Sequence, residues 1–425
     1  MSHIQGVRGT KDILSSDINL WRTVEIISRE ILESAHYKEI RTPIFEQSKL
    51  FTMSLGQVTD IVQKEMYTFQ DRSKRELTLR PEGTAGIARA FIEHKLYSQA
   101  NPQRFWYHGP MFRYERPQAG RQRQFHQLGL ECIGSSDALV EAEVISLAVE
   151  ILQELKIPKL TLHINSLGNN VTRETFKKAL YQYFVPYKSR LDEESQIRLE
   201  NNPLRLLDSK EPQIRSFLND APVILDFLDE KSRLHFDKVC HYLDALSIKY
   251  IIDPYLVRGL DYYNNTTFEI KSLDLGAQDT ICGGGRYDNL VKSLGGPSIP
   301  AIGWAIGMER LLLSVPTGII PISLSLDCYL ISLGIEAKQY SLILFQQLRK
   351  QKLKIEMDLS ENSLPKQLKK ASQMYAKTCI IIGDEEIQKK NIILKNLSTS
   401  VQEILPINDF TNIANKIKSQ KVGGK

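Results

Sequence analysis

The chain changes several times between a helical and an extended rhythm of apolar positions. Residues 17–36 place Ile18, Trp21, Val24, Ile27, Ile31, Leu32 and Ala35 at helical spacing, which predicts an amphipathic helix capped by Asp17. KEIRTPIFEQ follows as a strand-like run, and Pro43 fits it only where its missing donor faces a sheet edge or a subunit boundary. Helix and strand together suit a dimer element and a plain surface edge strand equally. Residues 105–116 and 123–133 predict two strands around a polar loop, PQAGRQ, in which Pro117 and Gly120 supply the turn. Residues 137–156 predict a second amphipathic helix. From about Val171 to Leu246 the pattern is helical, charged and irregular, and it reads as an inserted helical module. A strand-rich core resumes with LVRGLDYYNNTTFEI and continues through TICGGGRYDNLV to GWAIGMERLLLSV.

A composition change at Pro316 to Pro321 (PTGIIP) predicts a linker. Beyond it, the strand-like runs CYLISLG, KIEMDL, TCIIIG and NIILKNL surround helical stretches at residues 336–350 and LPKQLKKASQMYA, where Pro365 suits a first helical turn. Alternating strands and helices predict a mostly parallel sheet covered by helices. The expected organisation is one domain over residues 1–325, with the helical insertion at about 171–246, and a second α/β domain over 326–425. A chain of 425 residues exceeds one typical core, so more than one domain is expected.

Composition narrows the class. Apolar residues make up 42% and charged residues 25%, a soluble globular balance. The longest apolar runs, as at Ile380 to Gly383, are too short to cross a bilayer, so no membrane partner is expected. MSHIQGVRGTKDI lacks the apolar core of a signal peptide. The expected compartment is cytoplasmic, with a plastid or other organellar stroma also open. The net charge of +5 permits nucleic-acid binding without arguing for it. Cys132, Cys240, Cys282, Cys328 and Cys379 are widely spaced and form no CxxC pair, so neither a zinc site nor a disulfide framework is implied.

Candidate chemistry concentrates in five segments. Phe105 to Gly134 carries or adjoins Arg104, Arg113, Arg116, Arg121 and Arg123, with Phe112, Tyr114 and Phe125 between them. Guanidinium groups pair with phosphate oxygens in a two-bond fork, and Phe125 offers a face on which a purine stacks. If the strands extend far enough, Arg113 and Glu115 share a face, as do Arg121 and Arg123. The alternative is a solvated basic hairpin, which five arginines near one turn disfavour. In LTLRPEGTAGIARA, Glu82 and Thr84 follow Pro81 in a tight turn. A turn carboxylate there receives a ligand's ammonium group or simply caps the next helix, and the residues alone favour the cap. VRGLDYYNN brings Arg258 and Asp261 beside Tyr262 and Tyr263, and Gly283 to Gly285 allow close approach of the backbone. In GWAIGMERLLL, Arg310 opens a helix, where a cation is misplaced unless an anion is near. No HExxH, GxSxG, P-loop or GxGxxG element is present. Arginines, glutamates and glycine turns suit nucleotidyl chemistry, with positioning and charge doing most of the catalysis and a metal ion helping.

In this order the segments resemble class II aminoacyl-tRNA synthetases, and among them the histidyl-tRNA synthetase family. The helix and strand ending at Pro43 resemble the first class motif, FRYERPQAGRQRQFHQLGLE the second and GWAIGMERLLL the third. LVRGLDYYN and CGGGRYDNLV resemble segments peculiar to the histidine enzymes. The resemblance implies an α+β fold: an antiparallel-sheet catalytic domain with a helical insertion, a C-terminal α/β anticodon-binding domain, and a homodimer. It implies ATP-dependent attachment of L-histidine to tRNA-His through a histidyl-adenylate, with Mg²⁺. Arg113 and Arg258 would then hold the α-phosphate and act in catalysis. Glu115 and Phe125 would take the adenine, and Arg121 and Arg310 the outer phosphates. Glu82, Thr84, Gln127, Glu131, Tyr262 and Tyr263, with Arg258, would surround histidine, whose imidazole and ammonium present donors to carboxylates and an amide. Arg116, Gln118 and Arg123 would face the tRNA acceptor end. Two alternatives are a regulatory subunit of an ATP phosphoribosyltransferase, which keeps the catalytic fold without acylating, and a synthetase for proline, threonine or glycine. LVRGLDYY and the C-terminal α/β tail speak against the first, and LVRGLDYY with RQFHQLGLE against the second.

Overall fold

The computed structural model describes residues 3–56, 59–99, 102–209, 211–273, 279–316, 326–359 and 362–420. They fall into two compact units, Met1–Ile320 and Pro321–Lys425. Of the linker expected at Pro316 to Pro321, residues 317–321 lie outside the described residues.

In the first unit, α1 (Ser15–Ser34) leads to β1 (Lys38–Glu39), β2 (Phe45–Gln47), α2 (Ser48–Leu55), β3 (Tyr67–Gln70), β4 (Glu76–Leu79) and α3 (Thr84–Glu93). The hairpin of β5 (Gln103–Phe112) and β6 (Gln124–Ile133) follows, then α4 (Ala138–Glu154) and β7 (Leu160–Ser166). Helices α5 (Asn170–Phe184), α6 (Glu193–Asn201), α7 (Pro212–Leu218) and α8 (Glu230–Ala245) separate β7 from β8 (Tyr250–Ile252). Then come β9 (Asn264–Ser272), β10 (Thr280–Arg286), α9 (Leu290–Ser293), β11 (Ala301–Gly307) and α10 (Met308–Ser314). Eight strands form one sheet in the order β1-β5-β6-β11-β10-β9-β7-β8. Its interior pairings are antiparallel, and the edge pairs β1–β5 and β7–β8 are parallel. A second sheet has the order β2-β4-β3.

Three sequence expectations need correction here. Asp17 does not cap α1: Leu14 is the N-cap residue, and Asp17 sits in the first turn, 2.9 Å from Lys11 Nζ. There its charge still opposes the positive end of the helix. KEIRTPIFEQ is not one strand. It is split between β1 and β2 in different sheets, because Arg80 Nη1 donates to the Thr42 carbonyl (3.0 Å) and Arg80 Nε to the Pro110 carbonyl (2.9 Å). A buried arginine thus takes carbonyls that a strand neighbour would otherwise satisfy. LVRGLDYY is not extended either, and the strand begins only at Asn264.

The two faces of the large sheet differ in side-chain volume. One face sends Trp106, Leu128, Leu130, Cys132, Cys282, Ile302, Trp304 and Ile306 into a core with residues of α1, α4 and α8. Trp304 Nε1 donates to the Val144 carbonyl at 2.8 Å, so the indole N–H is satisfied in that core. Asp137 caps α4 by accepting from Leu139 N at 2.9 Å. Alternation puts Gly109, Gly129, Gly283, Gly303 and Ala305 on the other face, which leaves room there for side chains from neighbouring strands and turns.

One buried ion pair ties the sheet to α4. Arg286 Nε lies 2.5 Å from Glu141 Oε1, and its Nη1 reaches Asp288 Oδ1 and the Ser135 carbonyl, both at 3.0 Å. His235 joins the same carboxylate. Burial opposes ionisation of Glu141, but Arg286 and His235 outweigh it and hold the carboxyl below the usual range. Arg286→Met leaves that buried carboxylate short of its main partner. A loss of about 3–5 kcal/mol in unfolding free energy is expected, read from the denaturant midpoint of the first unit. An unchanged midpoint would contradict it.

The second unit contains β12 (Cys328–Ser332), α11 (Ile335–Lys350), β13 (Ile355–Met357), α12 (Leu364–Gln373), β14 (Thr378–Ile382), α13 (Asp384–Gln388), β15 (Asn391–Asn396), β16 (Gln402–Pro406) and α14 (Phe410–Ser419). The order is β13-β12-β14-β15-β16. The sheet is mixed rather than mostly parallel: β12 is parallel to β13 and β14, whereas β14–β15 and β15–β16 are antiparallel. Only α13 and its short flanks join β14 to β15, less than the dozen or so residues of a parallel crossover.

Candidate functional site

The glycine face of the sheet carries a cluster of buried polar side chains. On β6, Gln127, Gly129 and Glu131 share that face and stand opposite Gly307, Ala305 and Gly303 of β11. A Cβ on Gly303 would come within 1.8 Å of Glu131 Oε2, and one on Gly129 within 2.2 Å of the Tyr107 ring. Absent side chains are therefore what let Glu131 and Tyr107 lie across the sheet.

Glu82 follows β4 and precedes α3. Its carboxylate accepts from Thr84 N (2.7 Å) and Ala85 N (2.8 Å), so it does cap the helix, but it is only 4% exposed. Burial outweighs these bonds and raises its pKa. Thr84 Oγ1 donates to Glu131 Oε1 at 2.6 Å, and the Tyr287 hydroxyl donates to the other oxygen of Glu131. Burial pushes the Glu131 carboxyl up to about 8. The Tyr262 ring lies tilted against Tyr263 (4.6 Å between centroids) and edge-on to Tyr287 (5.6 Å). The buried Gln127 Oε1 has no hydrogen-bond partner among the described residues. A buried acceptor without a donor, on the same sheet face as the Glu131 carboxyl, is suited to a ligand rich in N–H groups.

Arginines line the neighbouring region. Arg113 lies just past the end of β5, so it does not share a strand face with Glu115 as alternation suggested. Its Nε donates to the Pro81 carbonyl at 2.9 Å, its Nη1 is 3.8 Å from Glu115 Oε1, and its Cζ is 5.3 Å from the centre of the Phe125 ring. Arg121 Nη1 is 3.2 Å from Glu115 Oε2. Arg310, in the first turn of α10, donates from Nη1 to the Thr280 carbonyl at 2.7 Å. Burial, then Arg121, lowers its pKa, the surroundings of a cation that gains from an added anion. Arg258 pairs with Glu269, which also accepts from Thr280 Oγ1 at 2.9 Å. It occupies the space of a Gly283 side chain, since a Cβ there would be 2.3 Å from Nη2.

The three remaining positions lie on the β5–β6 loop. Arg116 and Gln118 are exposed, and Gln118 and Arg121 exchange backbone hydrogen bonds (3.1 and 2.9 Å) around Gly120, whose φ is +71°. Arg123 instead folds back, with Cζ 3.9 Å from the centre of the Tyr114 ring. A cavity of about 460 Å³ opens between α1, residues 39–44 and β5, and none of Glu82, Glu131, Arg113 or Arg258 lines it. The sequence did not single out Tyr107, Glu269 or Tyr287 as site positions. Tyr287 stands one residue past the glycine strand, and Glu269 on β9 pairs with Gly283, so their signal was cross-strand register rather than local pattern.

The first unit matches the histidyl-tRNA synthetase family model over residues 9–311, and the second matches an anticodon binding domain over 327–417. A protein of Cyanothece sp. named histidine–tRNA ligase is 51% identical over 420 residues, covering 99% of this chain and 98% of the relative. One of Porphyra purpurea named histidine–tRNA ligase, chloroplastic, is 50% identical over 99% of this chain and 98% of its own length. The crystal structure of apo histidyl-tRNA synthetase from S. aureus superimposes with a TM-score of 0.82 at 37% identity, covering 98% of this chain and 100% of that one. The shared α+β architecture is thus the class II synthetase fold with a C-terminal anticodon-binding domain, and the chain belongs to the histidyl-tRNA synthetase family.

Proposed function

We infer that this chain is a histidine–tRNA ligase that attaches L-histidine to tRNA-His. ATP first activates the histidine carboxylate, giving histidyl-adenylate and pyrophosphate. The 3′-terminal ribose then takes the histidyl group and AMP leaves. Identity near 50% with histidine–tRNA ligases along the whole chain supports this reading and disfavours the regulatory-subunit alternative. The observation that carries it at residue level is the buried Glu131 carboxyl together with the unpartnered Gln127 oxygen on the same face of β6.

On this reading Glu82, Thr84, Gln127, Glu131, Tyr262 and Tyr263 enclose histidine, and Arg113 and Arg258 meet on the α-phosphate. Phe125 stacks on the adenine, and Glu115 reads its amino group. Arg121 and Arg310 hold the outer phosphates. Mg²⁺ is proposed to ride on the phosphates of ATP. Glu115 and Glu269, the carboxylates nearest the arginines, each face an arginine, and no group of three or more metal-ligating side chains occurs among the described residues. That donor set suits a cation held mainly by phosphate oxygens and water. A homodimer through α1 and residues 38–47 is supported by exposed Ile26, Ile44 and Phe45. The proposed compartment is the cytoplasm or a plastid stroma; five free cysteines fit a reducing one, and among the described residues no helix is long and apolar enough to cross a membrane.

The deciding assay is amino-acid-dependent ATP–pyrophosphate exchange. Exchange with histidine and with no other amino acid is expected; none with histidine, together with binding to a phosphoribosyltransferase, overturns the assignment. Arg116→Ala separates the steps. Its side chain is exposed and outside the carboxylate pocket, so pyrophosphate exchange stays within about two-fold of wild type. The KM for tRNA in aminoacylation rises several-fold as a phosphate contact is lost. Loss of exchange itself would remove Arg116 from the acceptor role.

A further inference from the structure

We propose that Glu309 is a positioning residue for the nucleotide half of the site, acting through His126. The β6–β11 ladder ends at the pair Gln127–Gly307, because the chain then turns into α10. The next amide on β6, that of His126, has run out of β11 backbone to pair with. Glu309 reaches back to replace it. Its two carboxylate oxygens accept from His126 N at 3.0 and 2.9 Å, and Oε1 lies 2.9 Å from the imidazole Nδ1. The His126 ring is held in turn edge-on to Trp21 of α1, 4.9 Å between centroids.

This bracket joins two groups that must face the same ligand. Phe125 precedes His126 on β6, and Arg310 follows Glu309 on α10. The carboxylate therefore fixes the spacing between the adenine platform and an outer-phosphate arginine. Gln127 depends on it less, since its own pairings to Gly109 of β5 and Gly307 of β11 hold it in place. The proposal rests on the ATP roles given to Phe125 and Arg310, and it separates nucleotide from histidine in a way that a general loss of stability does not.

The test is pyrophosphate exchange with Glu309→Ala, Glu309→Gln, His126→Phe and Arg310→Ala. Misplacement of a binding group by about 1 Å costs up to about 100-fold. Glu309→Ala is expected to raise the KM for ATP about ten-fold or more while the KM for histidine stays within about two-fold. Glu309→Gln keeps a carbonyl for the His126 amide and recovers most of the loss. His126→Phe keeps that amide and stays closer to wild type than Glu309→Ala. An unchanged KM for ATP in Glu309→Ala, with a raised one in Arg310→Ala, overturns the positioning role and leaves the site reading intact. Equal rises in both KM values, without rescue by glutamine, also overturn it. An unchanged KM for ATP in Arg310→Ala overturns the site reading and the positioning role together.

Discussion

Arg258→Ala is expected to slow histidine-dependent pyrophosphate exchange by about two to three orders of magnitude, while histidine still binds within a few-fold of wild type. The argument begins with space. Arg258 lies in the irregular segment before β9 and reaches over β10 only because Gly283 has no side chain. Its guanidinium is fixed there by Glu269, and Tyr263 lies alongside, with Cζ 5.9 Å from the ring centre. A cation held this firmly acts on charge that develops as the α-phosphorus is attacked, without first reorganising. Arg258→Lys is expected to recover little, because an ammonium cannot serve Glu269 and a phosphate with one planar fork. Removing the arginine also strands Glu269, so part of the loss belongs to that carboxylate. The Arg258→Ala/Glu269→Ala pair measures this share, because contacting residues do not add independently. Exchange within a few-fold of wild type in both variants would sink the catalytic role.

Much of the framework was legible because its patterns are long and local. The β5–β6 hairpin, α4, and β11 running into α10 all follow from alternation and periodicity within one segment. What escaped depends on distant partners. KEIRTPIFEQ has a strand's composition, but Arg80, about forty residues away, takes the Thr42 carbonyl and splits the run. β16 (QEILP) alternates in burial but not in polarity, since Ile404 faces outward beside the buried Leu405, so its sequence carries no strand pattern. Glu82 shows the limit most plainly. Its sequence context favours a solvated helix cap, and it does cap α3, yet the sheet and its tyrosines bury it. Local sequence fixes the bonds to Thr84 and Ala85; only the assembled sheet fixes the dielectric around them. For the same reason Tyr287 and Glu131, 156 positions apart, met only in three dimensions.

Glu131→Gln should trade function for stability. Burial pushes the pKa of the Glu131 carboxyl up to about 8, while its ordinary value is 4.5. Between those two values the folded state holds a proton that the unfolded state has released. Stability therefore falls as pH rises through that window and levels off above about 8. A glutamine has nothing to ionise, so its advantage over wild type is near zero around pH 4.5 and grows towards pH 8, where it is on the order of a few kcal/mol. Its amide still bonds the Thr84 and Tyr287 hydroxyls, which can donate or accept. Calorimetric Tm values for both proteins across this pH range measure the difference, and a constant difference would remove the desolvation argument. Function moves the other way. A bound imidazole can take up the carboxyl proton and leave Glu131 as a charged acceptor for its N–H, which a glutamine cannot become, so the KM for histidine should rise by about 10²-fold at neutral pH. The KM for ATP should change much less, because Glu131 stands on β6 away from the arginines. A Glu131→Gln protein with an unaltered KM for histidine would place the imidazole elsewhere, and Glu82 would become the carboxylate to examine.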